Sequence, residues 1–243
     1  MNFYLSIIPP IALLIYIYKL DRKEKEPFSL LRKLFLYGVI AALPISVAEI
    51  VVIFVVEGIA AEGTVMYAIL KAFIVAALCE EIGKYLVARI FVWKSRQFNC
   101  TFDGIVYSTF VSLGFATLEN ILYVTNGGIS TAIGRMFTAI PGHMSYGIVM
   151  GYYLSKAKVA MSEDDIAGYK KNIKKTLLMP ILLHGIYDSL LMIEEEIAGE
   201  IAGVLSVLTW YAFIIILFVA IFIIVNKASK DDHYFGAAVW LDR

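Results

Sequence analysis

Little in this sequence serves redox chemistry or nucleic-acid binding. Its 243 residues include two cysteines and three histidines, and 21 Lys and Arg balance 21 Asp and Glu, for a net charge of zero. There is no basic surplus of the kind a nucleic-acid partner requires. Cys79 and Cys100 form no CxxC pair, and Cys79 lies inside an apolar block. A disulfide framework and a thiolate metal site are therefore not expected, and both cysteines read as small apolar fillers or free thiols. Charged residues make up only 17% of the chain, too few to cover a soluble domain of this length. The first segment, MNFYLSIIPPIALLIYIYKL, lacks a basic leader and a small-residue cleavage site. It reads as a retained span kinked at Pro9 and Pro10, not as a signal peptide. No repeat and no low-complexity tract is present.

What the chain has is apolar sequence. It is 60% hydrophobic with a mean hydropathy of +0.77, in blocks of about 20 residues or more, the length a helix needs to cross the hydrocarbon core. The expected fold is an all-α polytopic bundle with seven spans, at about 3–20, 34–56, 65–93, 104–124, 131–155, 176–196 and 200–226. The spans leave no room for a second domain. Residues 1–243 read as one transmembrane domain with a short cytoplasmic tail over 227–243.

Lysine and arginine fall in alternate connections. Arg22, Lys23, Lys25, Arg32 and Lys33 follow the first span, and Lys94 and Arg96 the third. Lys156, Lys158, Lys170, Lys171, Lys174 and Lys175 follow the fifth, and Lys227 and Lys230 the seventh. The other connections are neutral or acidic: Glu57 with Glu62, then Thr125 to Ser130, then Glu194, Glu195, Glu196 and Glu200. The positive-inside rule puts the N-terminus outside and the C-terminus in the cytoplasm, as an odd number of spans requires.

Four spans carry ionisable groups at depth. The third holds Glu80, Glu81 and Lys84 in AALCEEIGKYLVARIF; the fourth holds Glu119 and Asn120 in GFATLENILYV. The fifth holds His143 in AIPGHMSYGIVMGYY; the sixth holds His184 and Asp188 in ILLHGIYDSLL. A charge at a helix centre costs roughly 2.5–3.5 kcal/mol on insertion scales. The set would cost on the order of 10 kcal/mol unless its members meet one another or water. At about 1.5 Å rise per residue, Glu80, His143 and His184 lie roughly 10–20 Å into the bilayer, with Glu119 nearer the outer face.

The local spacing adds chemistry. Lys84 is i+4 to Glu80 and i+3 to Glu81, so it can pair with either carboxylate. Such a pair can share a proton, which suits one group as a base towards water and another as an acid. His184 and Asp188 are also i,i+4, so the carboxylate can fix the imidazole tautomer. Pro141 and Gly142 loosen the backbone before His143, and Gly147 allows another backbone to approach. Against these stand bland readings: a structural ion pair for Glu80, Glu81 and Lys84, and satisfied interhelical hydrogen bonds for the histidines. His233 sits in the polar tail, and Trp93 and Tyr123 read as interface anchors.

Taken together, the four segments resemble the PrsW family of intramembrane proteases, itself similar to the CAAX-protease and bacteriocin-processing superfamily of glutamate-dependent enzymes. Glu80-Glu81-x-x-Lys84 matches EExxK, Phe115-x-x-x-Glu119 matches FxxxE, His143 lies in the intervening helix, and His184-x-x-x-Asp188 matches HxxxD. The CAAX-processing relatives carry FxxxH in place of the second motif and Asn at the position of Asp188. The resemblance implies hydrolysis of a peptide bond of a single-pass membrane protein in the bacterial cytoplasmic membrane. In that family the substrate is associated with an anti-sigma factor and the response to envelope stress. It also implies catalytic roles for Glu80, Glu81, Lys84, Glu119, His143, His184 and Asp188. Glu80, assisted by Glu81 and His143, would activate water; His184, oriented by Asp188, would stabilise the oxyanion or protonate the leaving amine; Lys84 would set the charge of the glutamate pair.

The residues leave metal-free glutamate catalysis and zinc both open, with Glu80, Glu119, His143 and His184 as the ligand set if zinc is bound. The GxGD, HExxH and GxSxG signatures of other proteases are absent. Two readings from other classes remain: a proton- or cation-coupled transporter using the same buried groups, and a non-catalytic scaffold. The expected partners are the bilayer and the substrate, with no nucleic acid. The sequence carries no signal for an oligomeric state.

Overall fold

The structure is a computed structural model that describes residues 2–196 and 200–236. The acidic run expected at Glu195, Glu196 and Glu200 has no described side chains, and the end of the tail, 237–243, lies outside the described residues.

The apolar blocks form helices throughout: α1 (Asn2–Leu20), α2 (Phe28–Glu57), α3 (Val65–Leu70), α4 (Leu78–Val92), α5 (Asp103–Phe137), α6 (Ala139–Ser162), α7 (Ile166–Glu196) and α8 (Glu200–Lys230). Lys71–Ala77 joins α3 to α4 as a π-helical segment. An isolated antiparallel bridge between Cys100 and Tyr234 is the extended pairing seen among the described residues. Pro9 and Pro10 lie within α1, which continues past both. Both cysteines are free thiols.

By length and composition, the stretches able to cross a membrane are Phe28–Glu57, Asp103–Ser162, Ile166–Glu194 and Val204–Lys230, with Tyr4–Leu20 apolar but shorter. The chain is therefore helical and membrane-type. The 60-residue stretch Asp103–Ser162 contains two helices that turn back on one another. The connection expected at Thr125–Ser130 holds a break at Gly128, with helix on both sides of it. α5 runs on to Phe137 across a sharp kink at Gly128, whose φ of 75° and ψ of −157° lie where a side chain is strained. The segment after the kink returns, so that Arg135 reaches Asn120.

α5 is the central helix. Every residue from Asp103 to Thr117 is buried, whereas α2 has few buried positions: Leu31, Leu34, Gly38, Ala42, Ile45 and Val56. Ile105, Val106, Phe110 and Leu113 pack with Leu14 and Ile17 of α1 and Ile140, Ile148 and Leu154 of α6. α5 and α6 run antiparallel in close contact. A Cβ on Gly147 would come 2.9 Å from Ser112 Cβ and 3.0 Å from Thr109 Cα, the close approach expected at this glycine. Apolar side chains of α2 and α8, among them Ile40, Val47, Phe54, Ile215, Ile216 and Phe222, point outward and are exposed. An apolar exterior of this extent suits lipid.

The basic connections meet at one end. Lys23 stands over the Tyr234 ring, Asn99 donates to Glu24, Trp93 packs on Tyr169, and Ser229 donates to the Leu20 carbonyl. The site lies towards the other end.

Candidate functional site

Glu80, Glu81 and Lys84 stand on the first turns of α4, directly after the π-helical segment. Insertions of this kind occur often at functional sites. Here the segment also seats Phe73 against Gly185 on α7, tying the carboxylate helix to the His184 helix. Lys84 Nζ donates to Glu80 Oε2 and Glu81 Oε1, each at 2.8 Å, and approaches His143 Nδ1 at 3.1 Å. The ammonium also stands 4.3 Å from the Phe115 ring centroid.

Hydrogen-bond accounting fixes the tautomer of His143. An ammonium only donates, so Nδ1 accepts, and the proton sits on Nε2, which donates to Glu119 Oε2 at 2.8 Å. The backbone at His143 is held by Ser112 Oγ, which donates to the His143 carbonyl at 2.7 Å. Glu119 also pairs with Arg135 at 2.9 Å, and Arg135 Nε donates to Asn120 Oδ1. The return segment after Gly128 is thereby tied to the site.

His184 bridges two carboxylates, with Nδ1 3.0 Å from Glu81 Oε1 and Nε2 3.1 Å from Asp188 Oδ2. The Tyr146 ring stacks on it at 4.7 Å, and the His143 ring meets it edge-on at 5.5 Å. All seven residues expected from the sequence therefore form one continuous network.

The network opens on a cavity of about 750 Å³, whose wall includes Glu80, Glu119, His143, His184 and Asp188. Glu81 and Lys84 lie behind that wall, with Glu81 wholly buried. The two adjacent glutamates thus differ: one faces the space a substrate and water would occupy, and the other holds Lys84 and His184.

Ligand atoms of Glu80, Glu81 and His184 lie within 4.8 Å of one another. The second oxygen of Glu81, buried with no partner, is an acceptor left over for an ion. Donor type and spacing therefore fit a divalent cation. Of the expected ligands this set keeps Glu80 and His184 and adds Glu81, while His143 and Glu119 are bonded to each other at 2.8 Å.

Three charged residues of the cavity wall were not among the expected site residues: Glu49, Lys71 and Arg135. Arg135 looks interfacial because it opens an apolar stretch, and Lys71 lies early in its own. Glu49, a carboxyl inside an uninterrupted apolar span, was detectable on that ground alone.

Similarity to known proteins is extensive. Residues 26–225 match the model of a family described as PrsW family intramembrane metalloprotease. A protein named protease PrsW from Geobacillus kaustophilus is 39% identical over 85% of this chain and 86% of its own. The proteins of that name from Clostridioides difficile and Bacillus subtilis are 34% and 35% identical over 86% and 76% of this chain, and 86% and 80% of theirs. No solved structure matches.

Proposed function

The chain belongs to the PrsW family of intramembrane proteases, and from that premise we propose that the cavity beside Glu80 is where it hydrolyses a peptide bond of a membrane-anchored protein. The observation that carries this reading is the single network of Glu80, Glu81, Lys84, His143, Glu119, His184 and Asp188, drawn from four helices and facing one cavity.

In the proposed reaction Glu80 takes a proton from water, and the oxygen attacks the substrate carbonyl carbon. The carbon–nitrogen bond then breaks, and the amine leaves with a proton. His184, held between Glu81 and Asp188, stabilises the oxyanion or supplies that proton. Lys84 keeps the buried glutamates charged, and His143 with Glu119 holds the opposite side of the ammonium. Glu80, Glu81 and His184 would be the ligands of a divalent ion where one is bound, and Lewis-acid activation of water would then stand in place of the proton transfers by Glu80 and His184.

In the same reading the chain crosses the bacterial cytoplasmic membrane seven times, with the N-terminus outside and the C-terminus inside. Support comes from the gathering of the basic connections at one end of the bundle. The substrate is a single-pass membrane protein, with an anti-sigma factor of an envelope-stress response as the candidate. Kinship with the CAAX-processing superfamily belongs to the proposal too, supported by the paired glutamates followed by a histidine.

Co-expression with a candidate single-pass substrate tests the core claim. Wild type should generate a product band that Glu80→Gln removes while the protein still accumulates in the membrane. A product of wild-type yield from Glu80→Gln would exclude Glu80 as the base.

A further inference from the structure

The α2 helix brings to the cavity an acid that the proposed chemistry does not use. Glu49 lies in ISVAEIVVI, where Val47 is 61% exposed and Ile50 59%, so this stretch of α2 faces outward over most of its circumference. Glu49 itself is half-buried and lines the same cavity as Glu80, His143 and His184.

It belongs to a stripe. Ala42, Ser46 and Glu49 all line the cavity and recur at i, i+4 and i+7, one face of the helix. The first two are small, so the stripe leaves a trough along α2 that ends at a carboxyl group. Leu43 both lines the cavity and is 62% exposed, so the trough reaches the outer, apolar surface of the bundle. A chain entering from the lipid would pass along it.

Every other acid on the cavity wall has a basic partner within the protein. Glu80 has Lys84, Glu119 has Arg135 and His143, and Asp188 has His184. Among the described residues Glu49 has no hydrogen bond and no ion pair. Lys71, the remaining cation on the wall, stands over the Tyr67 ring at 5.7 Å instead. A carboxylate at such a depth is costly unless a charge or a donor meets it. The space in front of it is the space the substrate fills.

We propose that Glu49 is a specificity-determining residue whose carboxylate receives a positively charged side chain of the substrate. The inference rests on the protease reading and deepens it. Cation and carboxylate meet in a poorly hydrated trough, where a like charge is rejected more strongly than the right one is attracted.

The test uses the full-length protein in liposomes and single-pass peptides that differ only in Lys, Gln or Glu, walked through the positions around the cleaved bond. At one position wild type should prefer Lys over Glu by about tenfold or more in kcat/KM, the scale of a single pocket contact. Glu49→Gln should bring that ratio close to one, and Glu49→Lys should invert it. Should Glu49→Lys fail to insert, the loss of preference in Glu49→Gln decides alone. A Lys-to-Glu ratio equal in wild type and Glu49→Gln overturns the proposal, as does an equal loss of all three peptides. Wild type that cleaves none of the peptides overturns the protease reading and the subsite together. Cleavage with a preference indifferent to Glu49 overturns the subsite only.

Discussion

An ammonium has three hydrogens, and Lys84 directs them to three acceptors: Glu80, Glu81 and His143. With 1% of its side chain exposed, it is the counter-ion for two buried carboxylates. Replacing Lys84 with Met removes the ammonium that both carboxylates share and leaves Glu81 with His184 alone, and breaking a buried pair from one side costs roughly 3–5 kcal/mol. Lys84→Met should therefore lower the thermal midpoint in detergent, and adding Glu81→Gln should recover part of the loss by removing one charge. A double variant no more stable than Lys84→Met would show that packing, not charge, is what Lys84 supplies. These pairs were legible in the sequence because the α-helix itself sets them: 80 with 84, 81 with 84, and 184 with 188 are all one turn apart. The contacts of His143 with Glu119 and Lys84 cross between helices, so motif order suggested the members but not the bonds. Glu49 has no ionisable residue one turn away, which hid it.

At the scale of the element, two departures from regular α-helix shape the site. Seven residues of π-helix lead into the glutamate pair, and the kink at Gly128 folds Arg135 back onto Glu119 and Asn120. Hydropathy counts apolar length and carries no sign of either. A connection is expected at Thr125–Ser130 and the break does fall there, at Gly128, but the helix that resumes after it and carries Arg135 back does not follow from apolar length. The sequence reading did locate the close approach at Gly147, since a glycine one turn beyond a functional histidine has a packing explanation. Gly147→Val would drive its Cβ into Ser112 and Thr109. Overpacking of this kind costs roughly 1–3 kcal/mol. It should also shift His143, whose carbonyl is held by that same Ser112. The expected outcome is a lower melting midpoint with a larger fractional loss of cleavage than of folded protein. Equal losses would mean that the α5–α6 spacing matters for stability alone.

Across the whole molecule, the end opposite the site is fastened by acids. Asp232 accepts from the Phe102 amide and the Thr101 hydroxyl, Asp103 accepts from the Asn99 and Cys100 amides, and Glu26 accepts from the Tyr107 hydroxyl. The strap around His233 and Tyr234 lies along Cys100, a pairing between residues over 130 positions apart that no local pattern reveals. Asp21 and Glu26 lie in the connection between α1 and α2. Burial raises the Asp21 carboxyl to about 6 and the Glu26 carboxyl to about 7, from 3.8 and 4.5. A carboxyl raised in the folded state binds its proton more tightly there than in the unfolded chain. Its contribution is complete below the unfolded value and is lost as pH rises through the folded one. Between about pH 4 and 7 the fastening should therefore weaken as pH rises. Amide hydrogen exchange at Thr101 and Phe102, corrected for intrinsic rates, should show greater protection at pH 5 than at pH 8. Glu26→Gln, which keeps an uncharged group at the position, should flatten that dependence. Protection that grows with pH would reverse the sign of the linkage and remove the protonated acids as the fastening of this end.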